Sequence, residues 1–266
     1  MPHVSRREFF SGHQDALLAA RLETPDEGEP AALVVISHCF TCSKDYKAIK
    51  RIATELANAG IAAFRFDMTG LAESRGDFSR TTLSTNVQDL ARAVEYARSL
   101  VDAPLFLMGH SLGGAASILS APTIEGVRGL VTLAAPSTTK ALQRLQLAQR
   151  KPAGEGLWQI EVGGIAYRLR DEFFDDLGQH DLLATLRSFQ RPLLVLHSPS
   201  DETVDYDHAL KLFEAAGGPK SLFTLQGADH LLVGDRQAPA WTAGAIDSWI
   251  RFILAAEGRG GVAGSM

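Results

Sequence analysis

Two alternating patterns of apolar and polar residues run along the chain. Short stretches that are apolar at nearly every position are "ALVVIS" (Ala32 to Ser37), "IAAFRF" (Ile61 to Phe66), "APLFLMG" (Ala103 to Gly109), "VRGLVTLAA" (Val127 to Ala135) and "RPLLVLHS" (Arg191 to Ser198). Runs of this kind predict strands covered on both faces, as in a parallel sheet. Between them lie stretches with helical spacing. Residues 45–60 place Ile49, Ile52, Ala53 and Leu56 on one face, with Gly60 as a C-terminal stop. Residues 81–100 do the same with Leu83, Val87, Leu90 and Val94, and helices are also expected over 111–121 and 207–217. "KSLFTLQG" (Lys220 to Gly227) reads as a last strand, and residues 240–256 as a closing helix with Trp241, Ile246, Trp249 and Ile253 as core candidates. Alternating strands and helices predict an α/β fold, a mostly parallel central sheet with helices on both faces.

Three segments depart from this rhythm. Arg7 to Glu23 reads as two strands around a glycine-containing turn, an N-terminal β-hairpin. Ser137 to Phe189 is an insertion of the size that forms lids or binding elements. Within it, "LWQIEVGGIAYRLR" (Leu157 to Arg170) predicts a hairpin turning at Gly163 and Gly164, and residues 171–189 a helix that Gly178 can interrupt. Residues 256–266 are glycine-rich and expected to be a flexible tail, leaving residues 1–255 as a single domain with a lid at about 137–189.

Composition narrows the picture little. The 266 residues are 45% hydrophobic and 21% charged, with a net charge of -5, so nothing favours nucleic acid or an anionic membrane as a partner. "SRREFF" (Ser5 to Phe10) resembles a twin-arginine export core, but polar residues follow where an apolar stretch is needed. With two cysteines in all, a cytoplasmic location is expected.

The chemistry begins at Gly109-His110-Ser111-Leu112-Gly113, a G-x-S-x-G between an apolar strand and a small-residue helix. That setting suits a strained turn that lifts a nucleophilic serine onto a helix N-terminus. A serine needs a base, itself oriented by an acid. His230 follows the last predicted strand and Asp201 the one before, ahead of Asp205, Asp207 and Asp229 as rivals, while His110 and His197 are expected to be structural. An oxyanion would be held by the amide of Leu112 and by one from the loop after the first parallel strand, where Phe40 is the candidate. This loop, "HCFTCSKD" (His38 to Asp45), carries Cys39 and Cys42. Packing is the expected role of both, with a regulatory oxidation site as the alternative; too few partners accompany them for a zinc site. Arg65 and Asp67, at a strand end, are expected to fix a loop by pairing. From the insertion, Trp158, Tyr167, Phe173 and Phe174, with Leu157 and Ile160, are candidates to line a substrate pocket or to form the lid's own core.

"HCFTCSKD", "FRFDMTGLAESRGDF" (Phe64 to Phe78), "GHSLGGAA" (Gly109 to Ala116), "SDETV" (Ser200 to Val204) and "ADHLL" (Ala228 to Leu232) together resemble the α/β-hydrolase family. Within it they are most similar to the hydrolase half of bacterial proteins fused to an OsmC-like peroxidase domain. The resemblance spans roughly residues 5–255. It implies an α/β-hydrolase fold, a triad of Ser111, Asp201 and His230, no metal or cofactor, esterase activity on short acyl chains and an OsmC-like domain or protein as a possible partner. No peroxidase activity is expected of these residues. Thioester hydrolysis is the alternative on the same triad, as are peptidase, perhydrolase and carbon-carbon hydrolase activities; a binding module with an idle serine is the alternative from another class.

Overall fold

The computed structural model describes residues 3–140 and 150–262. Its main sheet has eight strands: β1 (His3–Ser11), β2 (Leu17–Pro25), β3 (Leu33–Ser37), β4 (Ala62–Phe66), β5 (Leu105–His110), β6 (Val127–Leu133), β10 (Leu193–His197) and β11 (Lys220–Thr224), in the order β1-β2-β4-β3-β5-β6-β10-β11. The expected hairpin is β1 with β2, and β2 joins β4 antiparallel; every pairing beyond β4 is parallel.

Strand alternation explains why the parallel runs are apolar throughout. Leu33, Val35, Leu105, Leu107, Leu130 and Val195 pack to one side, and Val34, Ile36, Phe106, Met108, Val131 and Leu196 to the other. The second side is covered by helices α1 (Lys47–Asn58) and α7 (Ala238–Val262), through Ile49, Ile52, Ile246 and Ile250. The first side is covered by α2 (Leu83–Leu100), α3 (Leu112–Ser120), α4 (Asp171–Leu177), α5 (Leu182–Ser188) and α6 (Asp207–Ala215).

Helix α7 corrects two expectations. Trp241 is 62% exposed, while Ile246, Trp249 and Ile253 are buried. At 3.6 residues per turn, Trp241 points about 140° away from Ile246, so the two cannot share a face. The helix also continues to Val262, well into the expected tail, because extending a formed helix costs far less than nucleating one. Among the described residues no helix is long and apolar enough to cross a membrane.

The insertion builds a three-stranded antiparallel sheet from β7 (Lys151–Gly154), β8 (Leu157–Val162) and β9 (Ile165–Arg170). Val162 pairs with Ile165 across Gly163 and Gly164, both at positive φ, which is the hairpin the sequence predicts. Strand β7 had no sequence signal: it is short, contains Pro152 and lies at an edge, where the missing N–H is tolerated. The predicted helix over 171–189 divides at Gly178, and Asp181 caps the second part by accepting from the Ala184 amide at 2.9 Å.

A buried ionic cluster fixes the loop between β3 and α1. Lys44 is 1% exposed; its Nζ donates to Asp67 Oδ2 at 2.8 Å and to Glu73, and its amide donates to Asp67 Oδ1 at 2.6 Å. Burial alone would lower the pKa of the Lys44 ammonium, but Asp67 and Glu73 outweigh it and raise the pKa. Arg65 and Asp67 fix this loop as expected, but not by pairing with each other: the Arg65 guanidinium holds Glu23 at 2.7 Å and Asp45 at 2.6 Å, while Asp67 holds Lys44. Removing one partner of such a buried pair typically costs about 3–5 kcal/mol.

Two buried histidines brace the same edge of the sheet in neutral form. His38 donates from Nδ1 to the Cys39 carbonyl at 2.7 Å and accepts the Met68 amide at Nε2, 3.2 Å. His110 donates from Nε2 to the His230 carbonyl at 2.8 Å. Burial, reinforced by the neighbouring His230, lowers the pKa of His110 to about 3, and burial lowers that of His38 as well. An unfolded histidine titrates at ~6.5, so between there and the folded value the unfolded chain holds the extra proton. Stability is therefore expected to fall as pH drops below about 6.5, by up to about 1.4 kcal/mol per pH unit for His110 alone. Urea unfolding at successive pH values should show His110→Gln losing less stability on acidification than the wild type; parallel losses would contradict the assignment.

Candidate active site

The turn between β5 and α3 puts Ser111 at φ 55, ψ -119, a left-handed conformation that side chains rarely adopt. The Ser111 amide donates to the Leu133 carbonyl at 2.9 Å, and its own carbonyl accepts from Gly114 at 2.9 Å. Two close approaches make the turn possible. A Cβ on Gly113 would lie 2.4 Å from the carbonyl oxygens of both Ser37 and His38, and one on Gly109 would lie 2.2 Å from the Gly113 carbonyl. Glycine is required at both positions for the helix to start this close to β3.

Ser111, His230 and Asp201 come together at the carboxyl edge of the sheet from three separate loops. The Ser111 hydroxyl lies 3.1 Å from His230 Nε2, and His230 Nδ1 lies 2.8 Å from Asp201 Oδ2. With Nδ1–H donating to the carboxylate, Nε2 is free to accept from the serine. Asp201 Oδ1 accepts the amides of Thr203 at 2.8 Å and Val204 at 2.9 Å. Burial would raise the Asp201 pKa, but hydrogen bonds from His197, His230 and the Val204 amide outweigh it and hold the carboxyl well below the usual range.

The rival carboxylates are occupied elsewhere. Asp205 accepts the Asp207 amide at 2.8 Å, Asp207 pairs with Lys211, and Asp229 accepts the amides of Leu231, Val233 and Gly234 in its own turn. His197 is more than a neighbour, since its Nε2 lies 2.8 Å from the Val204 carbonyl and 3.3 Å from Asp201 Oδ2. Nothing in the sequence distinguished that role, because a histidine at a strand end reads the same whether it faces the core or a carboxylate.

Ser111 and His230 open into a cavity of about 500 Å³. Cys39, Phe40, Thr41 and Cys42 line one part of it, and Ile160, Val162, Ile165 and Tyr167 from the β8–β9 hairpin another. Cys39 and Cys42, expected as separate packing residues, are joined in a disulfide. The tight turn explains the bond: the Cys42 amide donates to the Cys39 carbonyl at 3.1 Å, bringing their Cα atoms within 5.3 Å.

Of the four aromatic candidates from the insertion, only Tyr167 lines this cavity. Its hydroxyl donates to the Thr41 carbonyl at 3.3 Å. Phe173 and Phe174 are buried in the core, and Phe173 reaches the site only through the Phe40 ring, with centroids 5.5 Å apart. Trp158 is turned away, donating to Asp171 at 2.6 Å beneath the Arg150 guanidinium. Tyr46, Thr203 and Leu231 line the cavity without having been candidates. They belong to different elements, and only folding brings them together.

Comparison with known proteins places the fold in a family. Residues 28–158 match the family model described as serine aminopeptidase, S33. The esterase domain of a Rhodothermus marinus protein is 33% identical, with a TM-score of 0.76 over 94% of this chain and 98% of that one. Est1E from Butyrivibrio proteoclasticus, solved with ferulic acid, shares the fold at 20% identity, with a TM-score of 0.79 over 93% of this chain and all (100%) of that one. The monoglyceride lipase of Mus musculus is 26% identical across 88% of this chain and 86% of its own length. The chain belongs to the α/β-hydrolase family, among its esterase-type serine hydrolases.

Proposed function

We propose that the protein hydrolyses carboxylic esters of short acyl chains through an acyl-enzyme on Ser111. The observation that carries this reading is the unbroken chain of hydrogen bonds from the Ser111 hydroxyl through His230 to Asp201, opening into the cavity. Ser111 attacks the acyl carbonyl as His230 Nε2 takes its proton. Asp201 holds the imidazole in the required tautomer and stabilises its charged form, as its depressed pKa favours. The amides of Phe40 and Leu112 receive the oxyanion. His230 then returns the proton to the leaving alcohol and activates the water that releases the acid.

The lining supports an ester with an apolar acyl group. Ile160 and Tyr167 come from the insertion, which on this reading is the lid of a single domain spanning 1–255. A short-chain preference follows if the β8–β9 hairpin stays where it is. A cytoplasmic location and an OsmC-like partner complete the proposal, resting on composition and on the sequence resemblance alone.

Hydrolysis of p-nitrophenyl esters carrying acyl chains of increasing length is the direct test. Turnover is expected to peak at the shortest chains, and Ser111→Ala to lower kcat by about 10³-fold or more, with only a modest change in KM. Well-folded protein inactive on every ester would overturn the proposal, and faster turnover of matched thioesters would move it to thioesterase. Asp201→Asn is expected to reduce kcat by about 10²- to 10⁴-fold, because an amide can favour the wrong histidine tautomer. A variant retaining most of its activity would remove Asp201 from the triad.

A further inference from the structure

The loop from His38 to Asp45 is anchored at both ends by the fold and closed covalently in the middle. His38 ties its start to the Met68 amide, and Lys44 ties its end to Asp67. Between these anchors the Cys39–Cys42 disulfide makes a small ring that contains Phe40 and Thr41. Thr41 is held at φ 58, a conformation unfavourable for a β-branched residue. Cys39 is 4% exposed, whereas Cys42 is only partly buried, and both line the cavity that contains Ser111 and His230. The disulfide is thus a second reactive group in the same cavity, and it constrains the one backbone amide assigned to the oxyanion from this loop.

We infer that Cys39–Cys42 is a redox site, reached by small dithiols through the cavity, that sets the hydrolytic rate by fixing the Phe40 amide. The inference rests on the proposed hydrolase reading. In the forward step a dithiol's thiolate attacks Sγ of Cys42, the more exposed of the two cysteines. The Cys39–Cys42 bond breaks and Cys39 leaves as a thiolate that takes a proton. The dithiol's second thiolate then attacks its own sulfur in the mixed disulfide. This releases Cys42 as a thiol, after protonation, and the dithiol as a cyclic disulfide. Two electrons pass to the protein, and an oxidised dithiol reverses the exchange. Once the ring is open, Thr41 can relax from its left-handed conformation and the Phe40 amide moves with it. The β8–β9 hairpin keeps its own strand pairing, and Ile160, Val162 and Ile165 still line the cavity, so substrate binding is largely retained.

The test uses the full chain in buffers poised by mixtures of reduced and oxidised dithiothreitol, with a p-nitrophenyl ester as substrate. Loss of one oxyanion donor typically costs ~10²- to 10³-fold, so a loosened donor is expected to lower kcat by about tenfold while KM changes less than about twofold. Alkylation followed by mass measurement reports the redox state directly, because the chain has 2 cysteines in all. The fall in kcat should track the appearance of two alkylated thiols. Cys42→Ser and Cys39→Ala should both run at the reduced rate in every buffer. Two free thiols at every poise, or a kcat that stays constant as the disulfide opens, would overturn the inference. If a fluorophosphonate still labelled Ser111 in that case, the hydrolase reading would stand alone. Absence of both turnover and labelling in either redox state would overturn both.

Discussion

The strand-to-helix turn at Ser111 works because two backbones approach more closely than any side chain permits. Helix α3 begins against the end of β3, and a single methylene on Gly113 would collide with the carbonyls of Ser37 and His38. That contact holds Ser111 in its left-handed conformation and fixes the distance between the helix N-terminus and the loop carrying Phe40. The turn at Ser111 and the start of the loop opposite it are thereby held in direct contact rather than being two elements that happen to be adjacent.

The polar interior serves the same end. Lys44, Asp67, Arg65 and Glu23 are all almost fully buried, an arrangement that seldom adds net stability over apolar packing. Here the charges are spent on geometry: Asp67 grips both the amide and the side chain of Lys44, and Arg65 reaches the Lys44 carbonyl at 2.7 Å. The ends of this loop are held by directional bonds, whereas the sheet beneath it is held by non-directional apolar packing. His38 and His110 extend this bracing toward Met68 and His230, and the His38 contact requires a neutral ring because its Nε2 accepts the Met68 amide.

The insertion connects to this frame through aromatic contacts. Phe40 packs against Phe78 and Phe173, Phe78 meets Tyr167 edge-on at 5.4 Å, and Tyr167 bonds back to Thr41. The hairpin is thereby in direct contact with the loop opposite Ser111. A second attachment of the insertion lies farther out, where Asp176 of α4 accepts the Ser84 amide at 3.0 Å at the N-terminus of α2. The cavity is shaped between these two attachments.

The sequence by itself determined the elements whose pattern is local. Doubly apolar runs, helical stripes and the Gly163-Gly164 turn are each dictated by neighbours within a few residues, and they led directly to the parallel sheet and the hairpin. The order of Ser111, Asp201 and His230 after successive strands was legible for the same reason, since strand ends deliver side chains to one edge. Tertiary structure decided what depends on direction rather than position. Trp241 fits an apolar stripe by count but faces out by angle, and Arg65 and Asp67 are two residues apart yet find different partners. Trp158 and Phe174 have the right chemistry for a pocket but point into packing, while Tyr46, Thr203 and Leu231 reach it from unrelated elements. The disulfide between Cys39 and Cys42 likewise depends on a turn that brings their Cα atoms to 5.3 Å. Spacing along the chain sets which residues can meet, and only the packed backbone sets which of them do.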